Sequence, residues 1–202
     1  MGAPEDELPE GIDFAAAGGV FRIDPAKNKS DGFVPLDSLV DQVFVANGSV
    51  WAGVSGMGYG QLVRIDPQDL SWEVVHEFFD FAPGLAFGAG SVWTVPLGVS
   101  ALSNVIERLD LETGETQARI DGGSEPVARL VYAGEALWVA YGNGRIGRLD
   151  PRANRLTPAV ETGSPLEDLF AASGSLWAVS QEDRKLFRID PQNGEIVAAI
   201  PF

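Results

Sequence analysis

Apolar residues in this chain come in short runs, each cut by glycine, proline, asparagine or aspartate. The last stretch shows the pattern clearly. Residues 166–172 are largely apolar and Ser173-Gly174 breaks them, 176–179 follow, and 180–185 are polar. Residues 186–189 form a third run, Asp190-Pro191-Gln192-Asn193-Gly194 interrupts, and 196–200 form a fourth. Runs this brief, rich in β-branched and aromatic residues, cannot sustain a helix and read as strands. Asp then Pro suits the opening of a type I turn, because proline presets φ and the aspartate side chain accepts from the turn backbone. Gly194 supplies the left-handed residue that closes the hairpin. The pattern predicts four antiparallel strands joined in sequence.

The same pattern recurs along the chain. One phrase appears as Phe21-Arg22-Ile23-Asp24-Pro25, Val63-Arg64-Ile65-Asp66-Pro67, Glu107-Arg108-Leu109-Asp110-Leu111, Gly147-Arg148-Leu149-Asp150-Pro151 and Phe187-Arg188-Ile189-Asp190-Pro191. A second phrase precedes the last four: Gly48-Ser49-Val50-Trp51, Gly90-Ser91-Val92-Trp93, Gly134-Glu135-Ala136-Leu137-Trp138 and Gly174-Ser175-Leu176-Trp177. Two phrases holding one period of roughly 40 residues point to an all-β β-propeller. The expected array is about five four-stranded blades, at 11–37 (incomplete), 38–80, 81–123, 124–163 and 164–202, after an acidic arm at 1–10. The first copy starts at Gly11-Ile12-Asp13-Phe14-Ala15-Ala16, aligned with the Gly174 phrase, and so lacks an innermost strand. Three outcomes follow: part of a larger ring, strained closure with five blades, or an open arc whose exposed blade faces would self-associate.

Taken together, G-S-(L/V)-W, a loop, and Arg188-Ile189-Asp190-Pro191-Gln192-Asn193-Gly194-Glu195 resemble the YVTN/YncE-type and NHL-type bacterial propeller repeats over residues 11–202. The resemblance implies the fold far more than an activity. The neighbouring virginiamycin B lyase and gluconolactonase-like propellers are enzymes, and a fold hosts many functions.

Within the repeat, the tryptophan is expected to fill the wedge between stacked blades. The Arg and Asp of the R-I/L-D phrase sit two apart, on one face of a strand, and are expected to form an architectural ion pair. Trp72 and His76 fall on an outermost strand, where a partly exposed ring and a structural or surface histidine are expected.

Candidate binding residues lie where the copies differ. The second-to-third loops contain Tyr59, the stretch 96–102, Gly142-Asn143-Gly144-Arg145 next to Tyr141, and Gln181-Glu182-Asp183, and they share a face with the loops entering the first strands. The starts of the inner strands place Asp41, Gln42, Arg129, Glu167 and Asp168 around the expected channel mouth. Of these, Asp41, Glu167 and Asp168 are candidate oxygen ligands for calcium or magnesium, the location where gluconolactonase-like propellers hold a metal.

Composition narrows the classes. A formal net charge of −15, from 14 basic and 29 acidic residues, argues against nucleic acid as a partner. Zero cysteines and one histidine leave no thiol nucleophile, no disulfide and no multi-histidine zinc set. Neither a signal peptide nor a membrane span is evident, so a cytoplasmic chain is expected, or an extracytoplasmic one if the chain is a fragment that has lost its signal. The reading that emerges is a non-enzymatic binding or scaffold module contacting a protein or small ligand, without a cofactor. The alternative is a metal-dependent hydrolase or lyase at the acid-lined mouth.

Overall fold

The computed structural model describes residues 18–36, 38–56, 58–79, 84–95 and 104–202. The acidic arm at 1–10 and the strand expected at 11–16 lie outside them. Among the described residues there is no helix, hence none long and apolar enough to cross a membrane.

The described residues form eighteen strands in five antiparallel sheets. Sheet one holds β1 (Gly18–Asp24) and β2 (Lys29–Leu36). Sheet two runs β3 (Leu39–Ala46), β4 (Ser49–Gly56), β5 (Tyr59–Ile65) and β6 (Trp72–Phe79). Sheet three runs β7 (Leu85–Gly88), β8 (Ser91–Thr94), β9 (Val105–Asp110) and β10 (Thr116–Asp121). Sheet four runs β11 (Val127–Ala133), β12 (Ala136–Tyr141), β13 (Arg145–Asp150) and β14 (Arg155–Glu161). Sheet five runs β15 (Asp168–Ala172), β16 (Ser175–Ser180), β17 (Lys185–Ile189) and β18 (Ile196–Pro201). In each four-stranded sheet the strands pair in chain order. The first strands of sheets three, four and five lie side by side, β7 against β11 and β11 against β15. This is a propeller-like arrangement, with β6, β10, β14 and β18 on the outside.

Local chemistry explains the turns. The hairpins between first and second strands place Asn47-Gly48, Ala89-Gly90, Gly134-Glu135 and Ser173-Gly174 at positive φ, the two-residue turn that matches strand twist. The turns between third and fourth strands put Asn28, Leu70, Gly114, Asn154 and Gly194 at positive φ. Each opens with the repeated aspartate. Asp24, Asp66, Asp110, Asp150 and Asp190 accept from the N–H two residues on, at 2.9, 2.7, 2.9, 2.8 and 2.8 Å.

The core lies between sheets. Val34 and Leu36 of sheet one meet Ala52, Val54, Val63 and Ile65 of sheet two. Trp51 of sheet two meets Leu85, Val92 and Leu109 of sheet three. Trp93 of sheet three meets Leu130, Leu137 and Leu149 of sheet four, and Trp138 of sheet four meets Leu169, Leu176 and Ile189 of sheet five. Each tryptophan thus fills the gap to the next sheet, as the repeat leads one to expect. Each indole N–H also donates to the carbonyl five residues earlier, Ala46, Gly88, Ala133 and Ala172, at 3.1–3.2 Å. Trp177, in sheet five, is only partly buried. Trp72 lies on the outer β6 with a 46% exposed ring, as expected.

The expected Arg–Asp ion pair does not form: among the described residues no salt bridge joins the two side chains of any R-I/L-D phrase. The aspartate is turned to its own turn, whose N–H groups lie closer than the arginine. The arginine extends forward to the next sheet's turn. Arg22 Nη1 donates to the Pro67 carbonyl at 2.8 Å, Arg64 Nη1 to Glu112 at 3.5 Å and Arg108 Nη1 to Pro151 at 2.7 Å. The guanidinium meanwhile lies over its own sheet's tryptophan, 5.1–6.0 Å from the ring centre in sheets two to five. Arg64 and Arg108 therefore combine stacking within their own sheet with a hydrogen bond to the next one.

Candidate functional site on the loop face

In a four-stranded meander, the loop between second and third strands and the link to the next sheet emerge at the same end. At that end, sheets three and four enclose a groove of about 670 Å³. One wall is the link after β10, Asp121-Gly122-Gly123-Ser124-Glu125; the other is formed by β13 and β14. Ile146, Leu156, Pro158, Ala159 and Val160 make it apolar, while Asp121, Glu125 and Glu161 are acidic and Arg145 is basic. Arg145 Nε lies 3.5 Å from Glu161 Oε1, an exposed pair of little energetic weight.

The local sequence shapes this groove. Pro158 carries no N–H to offer the ladder, and opposite it the register shifts between Ile146 and Gly147. On the other wall, the Asp121 carboxylate accepts from Gly123 N–H at 2.9 Å. Tyr141, 8% exposed, donates from its hydroxyl to the Gly122 carbonyl at 2.6 Å and so fixes the link to the end of β12. Burial, with the Asp121 charge second, pushes the Tyr141 phenol above its ordinary value of 10.0. It remains a neutral donor at physiological pH.

Of the other loop-face candidates, Asn143 accepts from Arg145 N–H at 3.2 Å, which closes the turn after β12. Tyr59 hydrogen-bonds to the Ser38 hydroxyl and lines a separate concavity of about 550 Å³ with Gln61, Glu77 and Phe78. Arg145 closes the loop 142–145 of the variable face, whereas Glu161 and residues 156–160, half of the groove, were not among the candidates. Their one signal is Pro158, a residue that interrupts an otherwise regular outer strand.

The residues expected at the channel mouth do not come together as a metal site. Among the described residues no three histidine or acidic side chains share a location fit for an ion. Each acid is engaged nearby instead. The Ser55 hydroxyl donates to Asp41, in sheet two. Glu167 accepts from Gln181 N–H at 2.7 Å, across the second-to-third loop of sheet five. Asp168 accepts from Arg129 Nε at 3.2 Å and from its neighbour Leu169 N–H at 2.9 Å. Arg129 belongs to sheet four and Asp168 to sheet five, so their contact joins two sheets. Gln42 does the same earlier in the chain, accepting from Leu85 N–H at 3.1 Å and linking sheet two to sheet three. These residues serve as inter-sheet ties and loop caps.

His76 is equally structural: on β6, its Nδ1 lies 2.8 Å from the Gly114 carbonyl of the next sheet's turn, which makes Nδ1 the protonated nitrogen. Its ring packs on Phe78, with centroids 4.8 Å apart. No nucleophile and base are brought together there.

No protein-family model matches the chain, and no match to a curated protein is found. The resemblance to YVTN/YncE-type repeats therefore rests on the repeated phrases alone.

Proposed function

We propose that this chain is a β-propeller binding module of the YVTN/YncE-like kind. Its four-stranded sheets serve as blades, and its loop face presents the groove between sheets three and four to a ligand. The function is recognition rather than catalysis, and no cofactor takes part. The observation that carries this reading is the groove itself. It is a concave, largely apolar surface of about 670 Å³ with acidic groups at its rim, mounted on two packed sheets.

The chemistry favours one ligand class. Apolar Leu156, Pro158, Ala159 and Val160 accept aliphatic side chains, while Asp121, Glu125 and Glu161 favour a positive charge beside them. The net charge of −15 steers cationic partners towards the chain from further away. An extended protein segment that alternates aliphatic and basic residues meets these requirements.

Peptide display against the whole chain, counter-selected with Ala159→Arg, tests the reading. Ala159 is exposed on an outer strand, so the arginine fills the groove without entering the core. The expected binders carry a lysine or arginine next to aliphatic residues and lose at least tenfold in affinity for the variant, whose melting temperature stays at the wild-type value. Binders that ignore Ala159→Arg, or that are predominantly acidic, overturn it.

A further inference from the structure

Three successive joints between sheets are built from the same parts. Trp51 shares its cluster with Leu109, Trp93 with Leu149 and Trp138 with Ile189. The tryptophan of one sheet thus meets the central residue of the R-I/L-D phrase in the next. Two sheets carry half of this contact without its counterpart among the described residues. In sheet five Trp177 is partly open, whereas Trp51, Trp93 and Trp138 are enclosed. In sheet one Ile23 is 57% exposed, whereas Ile65, Leu109, Leu149 and Ile189 are each exposed by 1% or less.

The rest of sheet five's face repeats the pattern. Sheet four turns Val131, Trp138, Ala140, Ile146 and Val160 towards sheet five, where they are packed. By cross-strand pairing, Phe170, Trp177, Val179, Leu186 and Ile200 occupy the same places in sheet five. None of them is fully buried, and Phe170 and Ile200 are exposed. A contiguous apolar face of this kind marks a contact surface. The polar half of the joint is in place as well. Arg108 Nε donates to the Ser91 hydroxyl and Arg188 Nε to the Ser175 hydroxyl, at 2.8 and 2.9 Å. Arg108 Nη1 goes on to the Pro151 carbonyl in the next sheet's turn, and among the described residues Arg188 makes no such second bond. The turn after β1 offers an exposed Pro25 at the place held by Pro67 and Pro151 in later copies.

We infer that the open face of sheet five receives sheet one of a second copy of this chain, head to tail, and so repeats the internal joint between molecules. Trp177 packs on Ile23 of the second copy, and Arg188 donates to its Pro25 carbonyl. The occupant is a second copy because the chain itself carries the matching half, with the residue types that fill this joint three times within it. The two faces differ, so the contact is heterologous and each copy keeps one face of each kind. Sheet one offers two described strands where an internal joint uses four. The contact is correspondingly weak and forms in the micromolar range; in more dilute solution the faces stay apart and Trp177 remains open. The loop-face groove takes no part in it.

Ile23→Glu blocks one face and Phe170→Glu the other, and both positions are exposed, so the circular dichroism of the fold should be unchanged. Size-exclusion chromatography with light scattering is run from low to high micromolar protein. Salt is held at about 0.15 M, where repulsion between acidic copies is screened beyond roughly 8 Å. The wild type should grow in mass with concentration. Each variant alone should associate at least about tenfold more weakly, because a carboxylate carried into an apolar joint finds no partner. An equimolar mixture of the two variants should form a one-to-one complex, since one intact face of each kind remains. A wild type that stays a single chain at high micromolar concentration overturns the inference. Ile23→Glu associating as the wild type does, which is the mark of two sheet-five faces meeting each other, also overturns it, as does a mixture that fails to pair. Should Phe170→Glu fail to fold, Ile200→Glu blocks the same face, and Ile23→Asn replaces Ile23→Glu in the same event.

Discussion

Truncating Trp93 and truncating Trp177 remove the same side chain from two copies of one unit. Both indoles donate to the carbonyl five residues earlier, at 3.1 Å, and both lie under the arginine of their own sheet. They differ in what lies beyond. Trp93 is fully enclosed against Leu130, Leu137 and Leu149 of the next sheet, whereas Trp177 is partly open. A buried indole hides roughly 200 Å². At about 25 cal/mol per Å² that corresponds to ~5 kcal/mol, in line with the ~3–5 kcal/mol seen for buried Trp→Ala changes. Trp93→Ala should therefore lose ~3–5 kcal/mol and Trp177→Ala only ~1–2 kcal/mol, because part of its surface is already wet. Urea unfolding followed by far-UV circular dichroism measures both, read as midpoint shifts at unchanged slope. Trp93→Phe, expected to lose about half as much as alanine, keeps the comparison readable if the alanine variant unfolds outright. Equal losses at the two positions would refute the claim that packing against the following sheet gives this tryptophan its weight.

Two further outcomes follow from the same contacts. Tyr141→Phe leaves the Gly122 carbonyl without its buried donor and should cost ~1–2 kcal/mol in urea unfolding. Because burial raises the Tyr141 phenol above 10.0, its neutral form is favoured in the folded state, and that contribution is complete below pH 10 and fades as pH rises through the folded value. Melts from about pH 8 to pH 11 should fall less steeply for Tyr141→Phe than for wild type, and parallel curves would count against the assignment. At the acid end, backbone N–H groups hold Asp110 below its ordinary 3.8, that of Thr113 first and that of Glu112 next. The stability it contributes is present above 3.8 and is lost as pH falls through its lower folded value. Asp110→Asn keeps an acceptor oxygen but cannot titrate, so its melting temperature should drop less than wild type between about pH 5 and pH 2.

What could be read in the sequence was whatever depends on near neighbours. The Asp-Pro turns are set by an aspartate two residues from the N–H it caps, and the tryptophan's burial follows from one large ring per copy in an apolar strand. The Arg–Asp pairing failed because strand geometry says which side chains share a face, not which neighbour is nearest. The carbonyl that Arg108 reaches belongs to Pro151, in the next copy. The mouth acids take separate partners for a related reason. Alignment put Asp41, Glu167 and Asp168 at one level, yet each found a closer donor: Ser55, Gln181 N–H or Arg129. The groove was half legible, through Tyr141. Its far wall depends on how β14 bends at Pro158 and how the 121–125 link lies over it, and both are set by contacts between sheets.

The forward reach of the repeated arginine has a bearing on how such a chain can change in length. Arg22, Arg64 and Arg108 all extend toward the higher-numbered neighbour, each meeting a carbonyl in that neighbour's turn. An extra in-frame copy spliced between two sheets would present a receptive turn to its predecessor and an arginine to its successor. The joint on either side would be of the same kind as the one it replaced. A duplication that cut the unit in half would separate the arginine from the turn and leave a donor or a carbonyl without its mate. Growth and loss are thereby channelled into whole multiples of the unit.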